Sequence, residues 1–143
     1  MNIKDYFAAN TEGRGVFASA GADGRVTAAI YSTPHLGEDG SAAFIMRDHL
    51  THANLQINPY ATYLFIEKGP GNHGVRLYLK KLREDSDPAL LAILTRRHLT
   101  PEEDRALGPK FIVYFVIEKA LTLVGDHSFF RQRLDLHRGE ATS

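Results

Sequence analysis

The sequence contains no cysteine, so disulfide scaffolds and thiolate metal sites are excluded. It also lacks an excess of charge of either sign, since 17 Lys and Arg balance 17 Asp and Glu. Without a basic excess the chain is a poor candidate for general nucleic-acid binding, and near-zero net charge favours self-association over repulsion. No apolar run approaches the roughly 20 residues of a spanning helix. The opening residues, MNIKDYFAANTEGRG, lack the apolar core of a signal peptide. A cytoplasmic protein with no nucleic-acid or membrane partner is the expectation. There is no GxSxG nucleophile motif, and no internal repeat, linker or low-complexity tract.

What is present suits one domain. A chain of 143 residues can bury about two thirds of its unfolded surface. Residues 1–136 are read as that domain and 137–143, HRGEATS, as a polar tail. Ile3, Tyr6 and Phe7 sit at helical spacing, and Asn10 and Gly13 end the pattern. Residues 15–20 are strand-like, Asp23-Gly24 marks a hairpin turn, and residues 25–32 form the partner strand. A breaker-rich loop, 34–40, leads to a third strand at 41–46; a fourth follows at 61–67. GPGNHG, 69–74, lacks the Lys-Ser/Thr ending of a P-loop and reads as a hairpin loop into an alternating strand at 75–82.

The period then changes. Asp87 can cap a helix that Pro88 begins, and Leu90, Leu91, Ile93 and Leu94 form its apolar stripe. TRRH, 95–98, reads as a basic helix end that complements the dipole. Pro101 opens a second short helix after Thr100, and the apolar run 111–124 reads as a long strand bent near Glu118. Short antiparallel strands with one helical insertion give the expected fold class: a mainly β protein, an antiparallel barrel of about six strands with peripheral helices.

The most informative stretch is FIMRDHLTHANLQINPYATYLFI, 44–66. Thr51 can N-cap a short helix over 51–57, Asn58 suits the exit, and Pro59 forbids continuation. The first turn of a helix leaves N–H groups unpaired and carries partial positive charge. Arg47 adds a two-pronged donor, Thr51 a hydroxyl, and His49 and His52 further donors, so the chemistry is that of an anion site, best suited to a phosphate monoester. The bland alternative is a solvated loop of surface polar residues. His49 and His52 also have HxxH spacing, but only Asp48 could join them, which leaves a metal set incomplete. One of the seven histidines as a haem ligand is a further alternative. Tyr31, Tyr60, Tyr63 and Tyr78 lie on or beside strands, where packing is their usual role.

Three segments in this order, GVFASAGADGRVTAAIY, AAFIMRDHLTHANLQINPYATYLF and GVRLYLKKL, together resemble the FMN-binding split-barrel family, whose best-known branch is pyridoxamine 5'-phosphate oxidase. The resemblance implies a homodimer with FMN at the subunit interface. It assigns Arg47, Asp48, Thr51 and His52 to the region of the ribityl phosphate, Asn54 to support of the turn, and Ile30, Tyr31 and Ser32 to the border of the ring system. His52 stands where many members carry Lys or Arg. The C-terminal third does not match the vitamin-forming branch, so pyridoxamine phosphate oxidation is not expected. The expected function is an FMN-dependent oxidoreductase acting on a small molecule, with a flavin or nicotinamide as electron donor. A non-catalytic FMN- or haem-binding module is the alternative.

Overall fold

In the computed structural model, residues 2–96 and 99–129 are described. The chain runs α1 (Ile3–Ala9), β1 (Arg14–Ala20), β2 (Val26–Ile30), β3 (His35–Leu36), β4 (Ala42–Arg47), α2 (Leu50–Ile57), β5 (Tyr60–Ile66), β6 (Gly74–Asp85), α3 (Pro88–Leu94), α4 (Pro101–Ala106) and β7 (Lys110–Thr122). The strands form one seven-stranded sheet in the order β2-β1-β5-β6-β7-β4-β3, and every pairing is antiparallel. Seven strands replace the expected six because the loop at 34–40 contains the two-residue strand β3, so the segment at 41–46 is the fourth strand, not the third. The tail at 137–143 lies outside the described residues.

The sheet closes on itself through aromatic side chains. β1 and β4 are separated in the sheet by three strands, yet the rings of Phe17 and Phe44 lie 5.1 Å apart. Phe44 also meets Tyr63 at 4.9 Å and Phe115 at 5.9 Å. Such contacts between distant strands require a curled sheet with a common interior. α1 contributes Ile3, Tyr6 and Phe7 to this core, and α2 contributes Leu55.

Period-two patterning decides which faces are covered. On β4, Phe44 and Met46 point into the barrel, while Ala43 and Ile45 point outward to a second cluster with Leu90, Leu91 and Leu94 of α3. β7 divides in the same way, with Val113 and Phe115 inside and Ile112 outside. α3 is therefore held against the outer face of β4 and β7. Its start is as the sequence implies, with Asp87 accepting from the Ala89 N–H and Pro88 in the first turn. α4 begins with a capping box between Thr100 and Glu103. The long strand is irregular at the expected place: Tyr78 pairs with Lys119 and Leu79 with Ile117, which leaves Glu118 as the extra residue. The Asp23-Gly24 turn is also present, with Gly24 at φ +80°.

Replacing Phe44 with Ala removes the ring that links β1, β5 and β7. We expect a stability loss of about 3–5 kcal/mol, measured by urea unfolding. A loss below about 1 kcal/mol would mean that this ring does not close the barrel.

Candidate functional site

A cleft of about 820 Å³ lies where the end of β2, the strap to β3, the end of β4 and the start of α2 converge. Of the residues singled out from the sequence, Ile30, Tyr31, Ser32, Arg47 and Thr51 line it. Asp48, His52 and Asn54 are not part of its wall. The cleft is also lined by His35, His49, Leu50, Leu94, Arg96 and Lys110. Three cations and no carboxylate are among its lining residues.

The start of α2 differs from the expected one. His49, not Thr51, is the N-cap residue, and Thr51 lies inside the first turn, buried at 5% exposure. The reason is packing: placing Thr51 within the helix puts it beside Tyr31, with which it hydrogen-bonds. No side chain caps the helix. The N–H groups of Leu50, Thr51 and His52 precede the first intrahelical bond, which Ala53 donates to the His49 carbonyl at 3.0 Å. An uncapped helix start thus opens onto a cleft with cationic walls.

Arg47 does not extend freely into that space. Its guanidinium donates to the backbone carbonyls of Asp104 at 3.1 Å and Gly108 at 2.7 Å, and to the Asp104 carboxylate at 2.8 Å. Lys110 approaches the same carboxylate at 3.0 Å. These hydrogen bonds, with smaller Coulombic contributions, hold the Asp104 carboxyl below its ordinary range. Two cations share one anion, which leaves one positive charge at this end of the cleft.

His52 serves a different arrangement. Its ring stacks on Phe111 at 4.1 Å and 6°. Its Nδ1 lies 3.1 Å from Asp48 and its Nε2 lies 2.8 Å from Glu84. This ties α2 to β6 and β7. Asn54 is buried and donates to the Ser19 hydroxyl at 3.1 Å, which ties α2 to β1. Both therefore set the position of α2. Among the described residues no group of His, Asp and Glu could hold a metal ion.

On the opposite wall, Tyr31 is half-buried, and desolvation pushes its phenol up while the Thr51 hydrogen bond offsets part of the effect. Its N–H donates to the Gly15 carbonyl at 3.0 Å, and its carbonyl accepts from the Tyr63 hydroxyl at 3.2 Å. A Cβ on Gly15 would fall 1.9 Å from the Tyr63 hydroxyl, so this close approach requires glycine. Arg96 was overlooked in the sequence because TRRH resembles a helix end. α3 stops at Leu94, so Arg96 reaches across to the strap instead and donates to the Thr33 carbonyl and hydroxyl. Arg97 and His98 lie outside the described residues.

No protein-family model matches the sequence, and no curated protein does. Solved structures do match. HupZ from Group A Streptococcus aligns with a TM-score of 0.62 at 15% identity, covering 88% of this chain and 94% of that one. An FMN-binding protein from Syntrophomonas wolfei subsp. wolfei aligns at 0.62 and 15%, covering 85% and 84%. An F420 reductase aligns at 0.61 and 17%, covering 75% and 87%. This chain has the split-barrel fold of these structures. At such identities the likeness shows the fold alone. Within the split barrel, the cleft lies between the β2–β3 strap and α2. No helix among the described residues is long and apolar enough to cross a membrane.

Glu84 gives a pH test of how α2 is held. Partial burial raises its pKa, but hydrogen bonds from Lys81, His52 and Gln56 outweigh that and bring it from 4.5 to about 2. A carboxylate depressed by folding stabilises the native state fully above its unfolded pKa and loses that contribution as pH falls towards the folded one. The wild type should therefore lose stability between pH 4.5 and 2, with a shallower slope in Glu84→Gln. Urea midpoints across that range measure it; parallel profiles would show that Glu84 does not anchor the helix.

Proposed function

We propose that the protein is an FMN-binding flavoprotein, an oxidoreductase acting on a small molecule, and that it works as a homodimer. The observation that carries this reading is the carboxylate-free cleft, with three cations on its walls, around the uncapped start of α2. Its volume lies in the range of pockets for cofactors, and the solved neighbours of the same fold include one whose name states that it binds FMN.

The residues present fit such a cofactor. The free amides of Leu50, Thr51 and His52, the Thr51 hydroxyl and the spare positive charge of the Arg47–Asp104–Lys110 cluster would hold the phosphate. Ile30, Ile45, Leu50 and Leu107 would keep water from a planar ring system, and Tyr31 and Ser32 would border it. Asp48, His52 and Asn54 act on the phosphate end indirectly, by fixing α2. Bound FMN supplies the redox chemistry, which accords with the lack of a nucleophile motif in the sequence. The edge strand β2 leaves Val26 80% and Ile30 71% exposed, and a second chain would cover these apolar side chains.

His49 supports a second reading. It lines the cleft, and among the described residues its ring has no hydrogen bond. A non-catalytic module holding haem through this histidine is the alternative.

The test is the absorption spectrum of the protein, purified and after addition of FMN or haem. Flavin bands and a dimer on a sizing column are expected; a colourless protein that takes up no FMN would overturn the reading. A Soret band lost in His49→Ala would favour the alternative. Arg47→Ala should weaken FMN binding by about 1.5–3 kcal/mol, the usual worth of a hydrogen bond to a charged group. An unchanged Kd would remove Arg47 from the phosphate end.

A further inference from the structure

A second cavity, of about 730 Å³, lies on the other side of the β2–β3 strap. Tyr31, Ser32, Thr33, His35, Leu94 and Arg96 belong to both cavities, so the strap and the arginine form the partition between them. The other walls come from α1 and from the chain leading to β1, including Lys4, Phe7 and Thr11. No carboxylate lines this cavity, whereas Lys4 and Arg96 do. Lys4 is paired with Glu38 at the exposed rim. Arg96 forms no ion pair with a carboxylate among the described residues.

The surroundings of Arg96 keep its charge uncompensated. One nitrogen donates to the Thr33 carbonyl at 2.5 Å and to its hydroxyl at 3.2 Å. The other lies 3.4 Å from Nδ1 of His35. Desolvation and the adjacent guanidinium push the His35 pKa down, although its hydrogen bond to the Leu94 carbonyl resists this, so the imidazole remains a neutral acceptor. Desolvation also raises the Tyr63 phenol, which keeps that group a neutral donor. Among the described residues, the groups that bond the guanidinium, Thr33 and His35, are therefore neutral, and they hold it at the partition.

We infer that this second cavity binds a small oxyanion with an apolar or aromatic body, a carboxylate or phosphate monoester, through Arg96. Such a group matches the planar two-pronged donor, and aromatic Phe7, Tyr31 and Tyr63 supply a wall for the body.

The experiment titrates benzoate and phenyl phosphate into the full chain without added flavin, follows the thermal midpoint, and measures FMN binding separately. Saturable stabilisation is expected with at least one of the two probes, and whichever binds more tightly identifies the head group. Arg96→Gln should raise its Kd roughly tenfold or more, the effect of one charged hydrogen-bonded partner. Arg96→Lys should restore part of the affinity. Thr11→Glu, which leaves Arg96 and the strap intact, should weaken anion binding by placing a like charge on the cavity wall. FMN affinity should change less than twofold in Thr11→Glu. Anion stabilisation that is absent in the wild type, or unchanged in Arg96→Gln and Thr11→Glu, would overturn the inference even if FMN binds normally. Anion binding that depends on Arg96 in a protein that takes up no FMN would support the cavity and overturn only the flavin reading.

Discussion

The contact between Phe17 and Phe44 is the constraint on which the rest of the structure depends. A flat sheet in the observed order would hold these rings four strand positions apart; instead they meet at 5.1 Å. Curling the sheet this far brings the edge strand β2 towards the other edge, where β3 is paired to Ala42 and Ala43 at the start of β4. The strap between β2 and β3 has to cross that opening. It becomes one wall of the cleft, and α2, which follows β4 directly, becomes the other. The apolar closure thus creates the cleft, and Tyr31 takes part in both, since its ring packs on Phe17 at 5.2 Å and on Phe44 at 6.4 Å.

Once the barrel is closed, the position of α2 is set by polar contacts on two sides. Asn54 reaches Ser19 on β1, and His52 reaches Glu84 on β6 while stacking on Phe111 of β7. Both side chains lie on the buried faces of the helix, with 7% and 6% exposure. Buried polar groups are favourable only when paired, so these pairs have a narrow choice of geometry. That narrowness fixes the first turn of α2 at the cleft.

The places of six of the strands, the hairpin turn, the proline-initiated helices and the irregularity at Glu118 were legible because each rests on local backbone chemistry, whereas β3 and the extension of β6 to Asp85 depend on pairing with distant strands. The site was legible in part. Arg47 and Thr51 could be picked out because they flank a strand-to-helix turn, and the segment 30–32 only through the resemblance to the split-barrel family. His52 and Asn54 were grouped with them because place along a short helix does not show which side chain faces a neighbouring element. The distinction depends on Glu84, Phe111 and Ser19, which are distant in sequence. Arg96 was illegible for a similar reason. Its interaction with Thr33 spans 63 residues, and only the end of α3 at Leu94 shows that it no longer belongs to a helix terminus.

The zero net charge of the chain is consistent with its strongly cationic cavities once charge is considered by location. Carboxylates such as Asp104, Glu38 and Glu84 stand behind or outside the walls, where they pair with Arg47 and Lys110, with Lys4, and with Lys81. They balance the sum without entering the cavities. A charge in water is screened within about 10 Å at ordinary ionic strength, while one facing a low-dielectric recess acts at much greater strength. A small anion entering would therefore meet Arg96 and the helix amides, with Arg47 and Lys110 already sharing the Asp104 carboxylate. Zero net charge argues against a long polyanion, which would need a basic surface, but it does not argue against a single anionic group held inside the fold.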